Sequence, residues 1–139
     1  MTILAAVTGD REGRLALAEG IAEARRLGTD LVAINLSSAT VDLTGIDTDG
    51  VAATVIDHRA AAKDDPADVI LDEIAARGAT RLVIGVKRRT PVGKAILGSM
   101  SQTLLLNAPI PVLAVKLPED EIPSSFFDNL PGGMHNVTS

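Results

Sequence analysis

The sequence predicts an α/β protein with an open, parallel five-stranded sheet of order 3-2-1-4-5 and helices on both faces. Short apolar runs typical of buried strands alternate with amphipathic stretches of helical periodicity, and this alternation implies right-handed crossovers between parallel strands. The only aromatic residues are Phe126 and Phe127, so the core must consist of Ala, Val, Ile and Leu, as in helix-covered parallel sheets. A length of 139 residues fits one domain.

A change of period marks the first strand and the first helix. Thr2 to Val7 is a short apolar run that ends in the turn-forming sequence Thr8-Gly9-Asp10. Apolar residues then recur with helical spacing from Leu15 onward, and Gly28 is a typical helix end. We therefore expect a strand, a turn and an Ala-rich helix.

The next two strands have no helix between them. Asp30 to Leu36 is a second apolar run, and the alternation from Val51 to Asp57 indicates a short third strand. Between them, Ser37 to Gly50 carries turn-forming residues without helical periodicity. We expect this segment to be an irregular loop.

A second helix has clear signals at both ends. Asp64 or Asp65 is suited to cap it, and Pro66 suits the first helical position. Asp68 lies near the same helix N-terminus, where the helix dipole favours negative charge. This preference explains the cluster of Asp64, Asp65 and Asp68 without a catalytic role. Gly78 is expected to end the helix.

The last third of the chain contains two strands around a third helix. Arg81 to Gly85 is predicted to be a strand, and Val112 to Lys116 is predicted to be the last strand. Ser99 to Gln102 has the S-x-x-Q form of a capping box, so we expect a helix that starts there and reaches about Asn107. From residue 118 the chain is rich in Pro, Gly, Ser and acids. We expect one domain over 1–117 and a tail over 118–139, partly disordered or packed on a dimer.

Composition excludes several classes of function. The chain has no cysteine, so no disulfide, thiolate zinc site or cysteine nucleophile exists. A net charge of −5 argues against nucleic acid as a main partner, and no apolar run is long enough to span a membrane. We expect a cytoplasmic protein. His58 and His135 are isolated from other metal ligands, and no catalytic motif is recognisable, so we expect neither a metal site nor a dedicated enzyme.

Two loops are placed to bind a ligand. In open α/β sheets, ligands bind outside the carboxyl ends of the strands, near the point where the strand order reverses. The loops after the first and fourth strands, Thr8 to Arg11 and Val86 to Gly98, lie at such ends. A helix that starts after Gly98 offers unpaired N–H groups and a positive dipole end, which favour phosphate.

The same residues carry a family resemblance. Val83 to Arg88, the nine residues Arg89 to Leu97, Gly98-Ser99 and the run from Ala108 to Val115 resemble the C-terminal half of the universal stress proteins. That family has the pattern G-x2-G-x9-G-[S/T], followed by a helix and an APCPVLVV-like strand. The segment from Arg81 to Val115 is the most specific part of a resemblance that covers Thr2 to Lys116.

The resemblance implies a Rossmann-like fold of the adenine nucleotide alpha hydrolase type and a regulatory protein of the stress response. It implies bound ATP or AMP, Mg²⁺ accompanying ATP, an unknown protein partner, and at most very slow ATP hydrolysis. The residues that it assigns to the nucleotide are Ala6, Val7, Thr8, Leu36, Gly85, Lys87, Arg88, Gly98, Ser99, Met100 and Ser101.

Three departures from the family pattern keep alternatives open. Arg88 stands at the second motif glycine, and Thr8 stands at an acidic position that commonly contacts the nucleoside. The segment from Ser37 to Gly50 is too short for the usual helix, so one side of the cleft is expected to be thin. The alternatives are a nucleotide-free dimeric adapter and, as a further rival, an enzyme of nucleotide α-phosphate chemistry.

The last strand predicts an assembly. In the order 3-2-1-4-5 this apolar strand lies at an edge of the sheet, where it is a template for pairing. The family resemblance implies a two-fold dimer through the last strands, here Pro111 to Lys116. Phe126 and Phe127 either cover apolar surface on this dimer or belong to a disordered end.

Overall fold

The computed structural model describes residues 1–43, 45–58, 65–86 and 98–116. These residues form five strands and three helices, in the order β1 (Thr2–Val7), α1 (Arg11–Leu27), β2 (Asp30–Asn35), β3 (Ala53–Asp57), α2 (Pro66–Arg77), β4 (Arg81–Val86), α3 (Ser99–Asn107) and β5 (Val112–Lys116). No helix in these ranges is long and apolar enough to cross a bilayer. The predicted tail lies outside the described residues.

The sheet confirms the predicted fold class. All neighbouring strands are parallel, and their order is β3-β2-β1-β4-β5. The central strand β1 pairs with β2 over its full length, up to Val7 opposite Asn35, and it pairs with β4 up to Ala5 opposite Val83. Because the strands are parallel, their carboxyl ends meet at one edge of the sheet.

Helices cover both faces of the sheet, and each face has its own core. The core under α1 consists of Ile3, Ala5, Val7, Ala16, Leu17, Ile21, Ala24, Leu31, Ala33 and Val83. The core on the α2–α3 side contains Leu4, Ala6, Val32, Ile34, Ile70, Leu82, Ile84 and Leu104, among others. Burial on both faces explains why β1, β2 and β4 have almost continuous apolar sequences.

The ends of α1 and α2 agree with the sequence signals. Gly28 and Gly78 end the two helices with φ of 66° and 60°, a left-handed conformation that a residue without Cβ adopts at little cost. Asp65 caps α2 and Pro66 begins it, as predicted. Asp64, the other predicted cap, lies outside the described residues.

The start of α3 differs from the prediction. The capping residue is Gly98, no side chain caps the helix, and Ser99 is already its first helical residue. The predicted capping box is therefore wrong, because Gln102 stands one position too far into the helix and its N–H donates to Gly98 O at 3.0 Å. The N–H groups of Ser99, Met100 and Ser101 precede the first intrahelical bond of the ladder.

The loop between β2 and β3 contains no helix in its described parts, 36–43 and 45–52, as the sequence predicts. Arg25 of α1 holds this loop by donating hydrogen bonds to the carbonyl oxygens of Asp47 and Asp49 at 2.7 and 3.0 Å. The loop also covers the α1-side core with the partly buried side chains of Val41, Leu43, Ile46 and Val51. A short apolar loop therefore lies beside α1 where the family resemblance implies a helix.

Glu23 joins α1 to the start of β4. Its carboxylate accepts hydrogen bonds from Arg26 Nε at 2.9 Å and from Arg81 Nη1, and its side chain is 12% exposed. The hydrogen bonds from Arg26 and Arg81 hold the pKa of Glu23 below its usual value, although burial acts in the opposite direction. The ionised form of Glu23 therefore stabilises the fold.

We expect Glu23→Gln to lower the free energy of unfolding by about 1 kcal/mol at pH 7, because the variant loses a charge-assisted pair. A lowered pKa contributes stability above the unfolded-state pKa, about 4.3, and this contribution is lost as pH falls through the folded-state value. The unfolding free energies of wild type and variant, measured by urea titration, should therefore converge as the pH falls below about 4.3. Glu19→Gln, at an exposed position of α1, is the control and should change stability by less than about 0.5 kcal/mol over the same pH range.

Candidate functional site

The candidate site lies at the carboxyl ends of β2, β1 and β4. The chain continues from β1 to β2 on one side of the sheet and later adds β4 on the other side of β1, so the strand order reverses at β1. This reversal point is the usual ligand position in open α/β sheets. The turn from Thr8 to Asp10 leaves β1 at this point and leads directly into α1.

Asp10 fixes the turn at the start of α1. Its Oδ1 accepts hydrogen bonds from Gly13 N at 2.9 Å and from the Thr8 hydroxyl at 2.6 Å. The carboxylate therefore caps α1, and the hydroxyl of Thr8 is directed to this cap. Thr8 thus serves as a turn residue in this structure.

Two glycines allow the first turn of α1 to press against its neighbours. A Cβ added to Gly13 would lie 2.1 Å from Thr8 O, and a Cβ added to Gly85 would lie 2.1 Å from Glu12 O. Both distances are far below van der Waals contact. Gly85 therefore has a packing role, because the backbone of Glu12 comes so close to it that a side chain at position 85 would clash.

A cavity of about 220 Å³ lies on the β4 side of the turn. We call it the β4-side cavity, and its lining residues are Thr8, Asp10, Glu12, Gly85, Gly98, Ser99, Met100 and Ser101. One wall is the uncapped first turn of α3, whose N–H groups carry the positive end of the helix dipole. Two acidic residues of the turn and of α1, Asp10 and Glu12, also line this cavity.

A second cavity, of about 170 Å³, lies on the β2 side of the same turn. This β2-side cavity is bounded by α1 and by the loop after β2, and its lining residues are Val7, Thr8, Gly9, Asp10, Arg14, Leu17, Ser37, Ala39, Thr40, Val41, Asp42 and Ile46. Thr8 and Asp10 line both cavities, so the two are neighbours across the turn.

The sequence analysis missed Asn35, the last residue of β2. Its side chain is completely buried and forms hydrogen bonds with Ser37, Ala39 and Asp57. The available signal was a polar residue near the end of the apolar run from Asp30 to Leu36. A buried polar residue needs hydrogen-bond partners. A polar residue whose partners lie so close to the site is as strong a candidate for a functional role as a residue of a sequence motif.

The structure brings together most of the residues that the family resemblance assigns to the nucleotide. Val7, Thr8, Gly85 and the segment 98–101 line the two cavities. Ala6 and Leu36 do not, because both pack against the core on the α2–α3 side. Lys87 and Arg88, like the other cations Arg89 and Lys94, lie outside the described residues.

Gly98 has an ordinary backbone conformation. Its φ of −66° and ψ of 162° are accessible to any residue, and a Cβ added there would meet no atom of the described residues within 4 Å. Gly98 therefore contributes to the site through the space that its missing side chain leaves next to the start of α3.

His58 is half-buried and has a structural partner. Its Nε2 lies 3.1 Å from Glu73 Oε1, and Arg77 Nε donates to Glu73 Oε2 at 2.6 Å. Burial raises the pKa of Glu73, but the hydrogen bonds from Arg77 and His58 outweigh it and leave the pKa below its usual value. His58 thus joins the end of β3 to α2. The described residues contain no cluster of three or more metal-ligating side chains.

Comparison with known proteins decides the family. The model of the universal stress protein family matches residues 47–116. A universal stress protein from Mycolicibacterium smegmatis is 36% identical over 125 residues, which cover 82% of this chain and 96% of that protein. The chain belongs to the universal stress protein family. The resemblance found in the sequence is thereby confirmed.

Solved structures of universal stress proteins share the fold. The protein from Archaeoglobus fulgidus is 23% identical, with a TM-score of 0.66 and coverage of 84% of this chain and 98% of that one. A family protein from Arabidopsis thaliana with AMP bound is 19% identical, with a TM-score of 0.55 and coverage of 92% and 99%. A universal stress protein in complex with cAMP is 14% identical, with a TM-score of 0.56 and coverage of 85% and 98%.

In this universal stress protein, Gly85→Ala should lower the free energy of unfolding by about 1–3 kcal/mol, because the new methyl group forces the first turn of α1 away from β4. Gly98→Ala is the matched control: it should lower the thermal unfolding temperature less than Gly85→Ala does, because the added Cβ meets no atom of the described residues within 4 Å and only the preference of the capping position is lost. Equal melting temperatures for Gly85→Ala and the wild type would contradict the packing role of Gly85.

Proposed function

We propose that this universal stress protein binds an adenine nucleotide across the turn at the end of β1 and acts as a regulatory, non-catalytic protein of the cytoplasm. One observation carries the proposal. Two neighbouring cavities flank the point where the strand order reverses, and the β4-side cavity is bounded by the uncapped start of α3.

The size of the cavities favours a ligand that occupies both. Their volumes of about 170 and 220 Å³ are each below the roughly 300 Å³ at which typical ligand pockets begin. A nucleotide has a phosphate end and a nucleoside end, and it can extend over Thr8 and Asp10 from one cavity to the other. In our proposal the phosphate lies against residues 98–101 and the nucleoside extends toward the loop after β2.

The charges around the β4-side cavity suit a nucleotide with few phosphates, or one with a cation. The helix start attracts phosphate, whereas Asp10 and Glu12 repel it. Carboxylate and phosphate oxygens together are ligands that Mg²⁺ prefers, so Mg²⁺ would bridge ATP to these side chains. The sequence also supplies Lys87, Arg88, Arg89 and Lys94 between β4 and α3.

Relatives and site chemistry support a nucleotide-dependent regulator. The Arabidopsis thaliana relative has AMP bound, and another relative is in complex with cAMP. Within the described residues the sole histidine, His58, is paired with Glu73 and lines neither cavity. His58 therefore does not serve either cavity as a general base.

Titration calorimetry should detect binding of AMP, cAMP and ATP, with ATP strengthened by Mg²⁺ because the cation offsets repulsion from Asp10 and Glu12. Gly98→Val should abolish binding, since its side chain would occupy the approach to the α3 amides. Thermal unfolding without ligand is the control, because the φ of Gly98 is accessible to valine. Absence of heat and of any thermal shift at millimolar nucleotide would favour the nucleotide-free dimeric adapter.

We further propose a homodimer through Pro111 to Lys116. β5 is the last strand of the sheet, its Leu113 side chain is 37% exposed, and Ala114 is exposed. Leu82 N donates to Pro111 O at 3.0 Å, so every second residue from Pro111 bonds to β4. The backbone N–H of Ala114 therefore points away from β4, where a second copy would pair with it.

Light scattering at micromolar concentration should give twice the mass of the chain for the wild type. Ala114→Pro removes an outward N–H without breaking the β4 ladder, so it should shift the protein toward the monomer. Ala114→Val keeps the N–H and should remain dimeric, and circular dichroism checks that both variants fold. A monomeric wild-type protein would refute the assembly.

A further inference from the structure

The buried amide of Asn35 holds the loop after β2 in place. Nδ2 donates to Ala39 O at 2.8 Å and to Asp57 Oδ1 at 2.7 Å, while Oδ1 accepts from Ser37 N at 3.0 Å and from the Ser37 hydroxyl at 2.6 Å. The side chain is completely buried and both of its polar atoms are used. One amide thus ties the loop to itself and to the neighbouring strand β3.

The residues held by Asn35 form a wall of the β2-side cavity. Ser37 and Ala39 both line it, whereas Asn35 itself does not. The wall also lies close to the turn after β1, because a Cβ added to Gly9 would be 3.0 Å from Ser37 Cβ. The position of Ser37 therefore sets the gap between the β1 turn and the β2 loop.

The same amide connects this wall to β3. Asp57 is paired with Asn35 in the parallel ladder, and His58 N donates to Asn35 O at 3.0 Å. Residues from β2, β3 and the intervening loop consequently meet at one buried group. Loss of its donor to Ala39 would loosen the segment from Ser37 to Ala39, where the Ser37 hydroxyl at 3.1 Å is the remaining partner of Ala39 O, while the strand register stays in place.

We propose that Asn35 is a positioning residue that holds the nucleoside end of the nucleotide site through Ser37 and Ala39, an inference that rests on the nucleotide-binding function proposed above. Asn35 does not touch the ligand. It fixes the carbonyl of Ala39 and the N–H of Ser37, so that the cavity has its shape before the nucleoside enters. The loop thereby makes up for the missing helix on this side of the cleft.

The test separates positioning from stability with a residue swap. Asn35→Asp places two carboxylates against each other at positions 35 and 57 and removes the donor to Ala39. The double variant Asn35→Asp/Asp57→Asn restores the cross-strand hydrogen bond with reversed polarity, but it leaves the Ala39 carbonyl without a donor from position 35. Asp57→Asn alone is the control for any other contribution of that carboxylate.

We expect the double variant to regain part of the unfolding free energy that Asn35→Asp loses, as measured by urea titration, because the cross-strand hydrogen bond returns while the carboxylate at the buried position 35 still faces the Ala39 carbonyl. Its affinity for AMP in titration calorimetry should stay about tenfold below that of the wild type and of Asp57→Asn, because a hydrogen bond that orders the wall is still missing. Adenosine should lose affinity by the same factor. Amide hydrogen exchange in residues 36–43 should be faster in the double variant than in the wild type.

Each other outcome has a defined meaning. If AMP affinity recovers together with stability, Asn35 acts only through the fold and the positioning role is wrong. If the loss is seen for AMP but not for adenosine, the wall does not serve the nucleoside end, and the proposal is again overturned. A wild-type protein that binds neither AMP nor adenosine overturns the nucleotide-binding function, and the role of Asn35 with it.

Discussion

The close approach of α1 to the end of β4 organises the candidate site. Gly85 has no side chain, so the backbone of Glu12 can lie directly over the strand end. This contact fixes the first turn of α1, and the cap formed by Asp10 then fixes the turn after β1. Both cavities share that turn, so their separation depends on one backbone contact rather than on a set of ligand-binding side chains.

The sequence predicted local features well because their causes are local. Gly28, Asp65 and Gly78 act within one helical turn of their own positions, and each was found as a helix end. The continuous apolar runs predicted a sheet covered on both faces for a similarly simple reason. Ser99 was misread as a cap, since S-x-x-Q describes a residue pattern and does not determine which residue first becomes helical.

Features of the site that depend on distant contacts could not be predicted. Asn35 meets Asp57 across 22 residues of sequence, and no local pattern reveals that pairing. Gly85 belongs to the family motif, yet its neighbour in the structure is the backbone of Glu12, 73 residues earlier in the chain. Residues near the strand ends could be identified from the sequence. The residues that form the walls of each cavity could be identified only from the folded structure.

The uncapped start of α3 has a thermodynamic consequence. No side chain of the described residues caps its first N–H groups, and a helix end without a cap is a natural place for fraying. An anion bound there would act as the missing cap, so helix order and ligand occupancy would belong to one linked equilibrium. Because α3 leads into β5 after a short connection, an anion bound at the first turn of α3 would also make the edge strand more rigid. The free-energy cost of this ordering would be low.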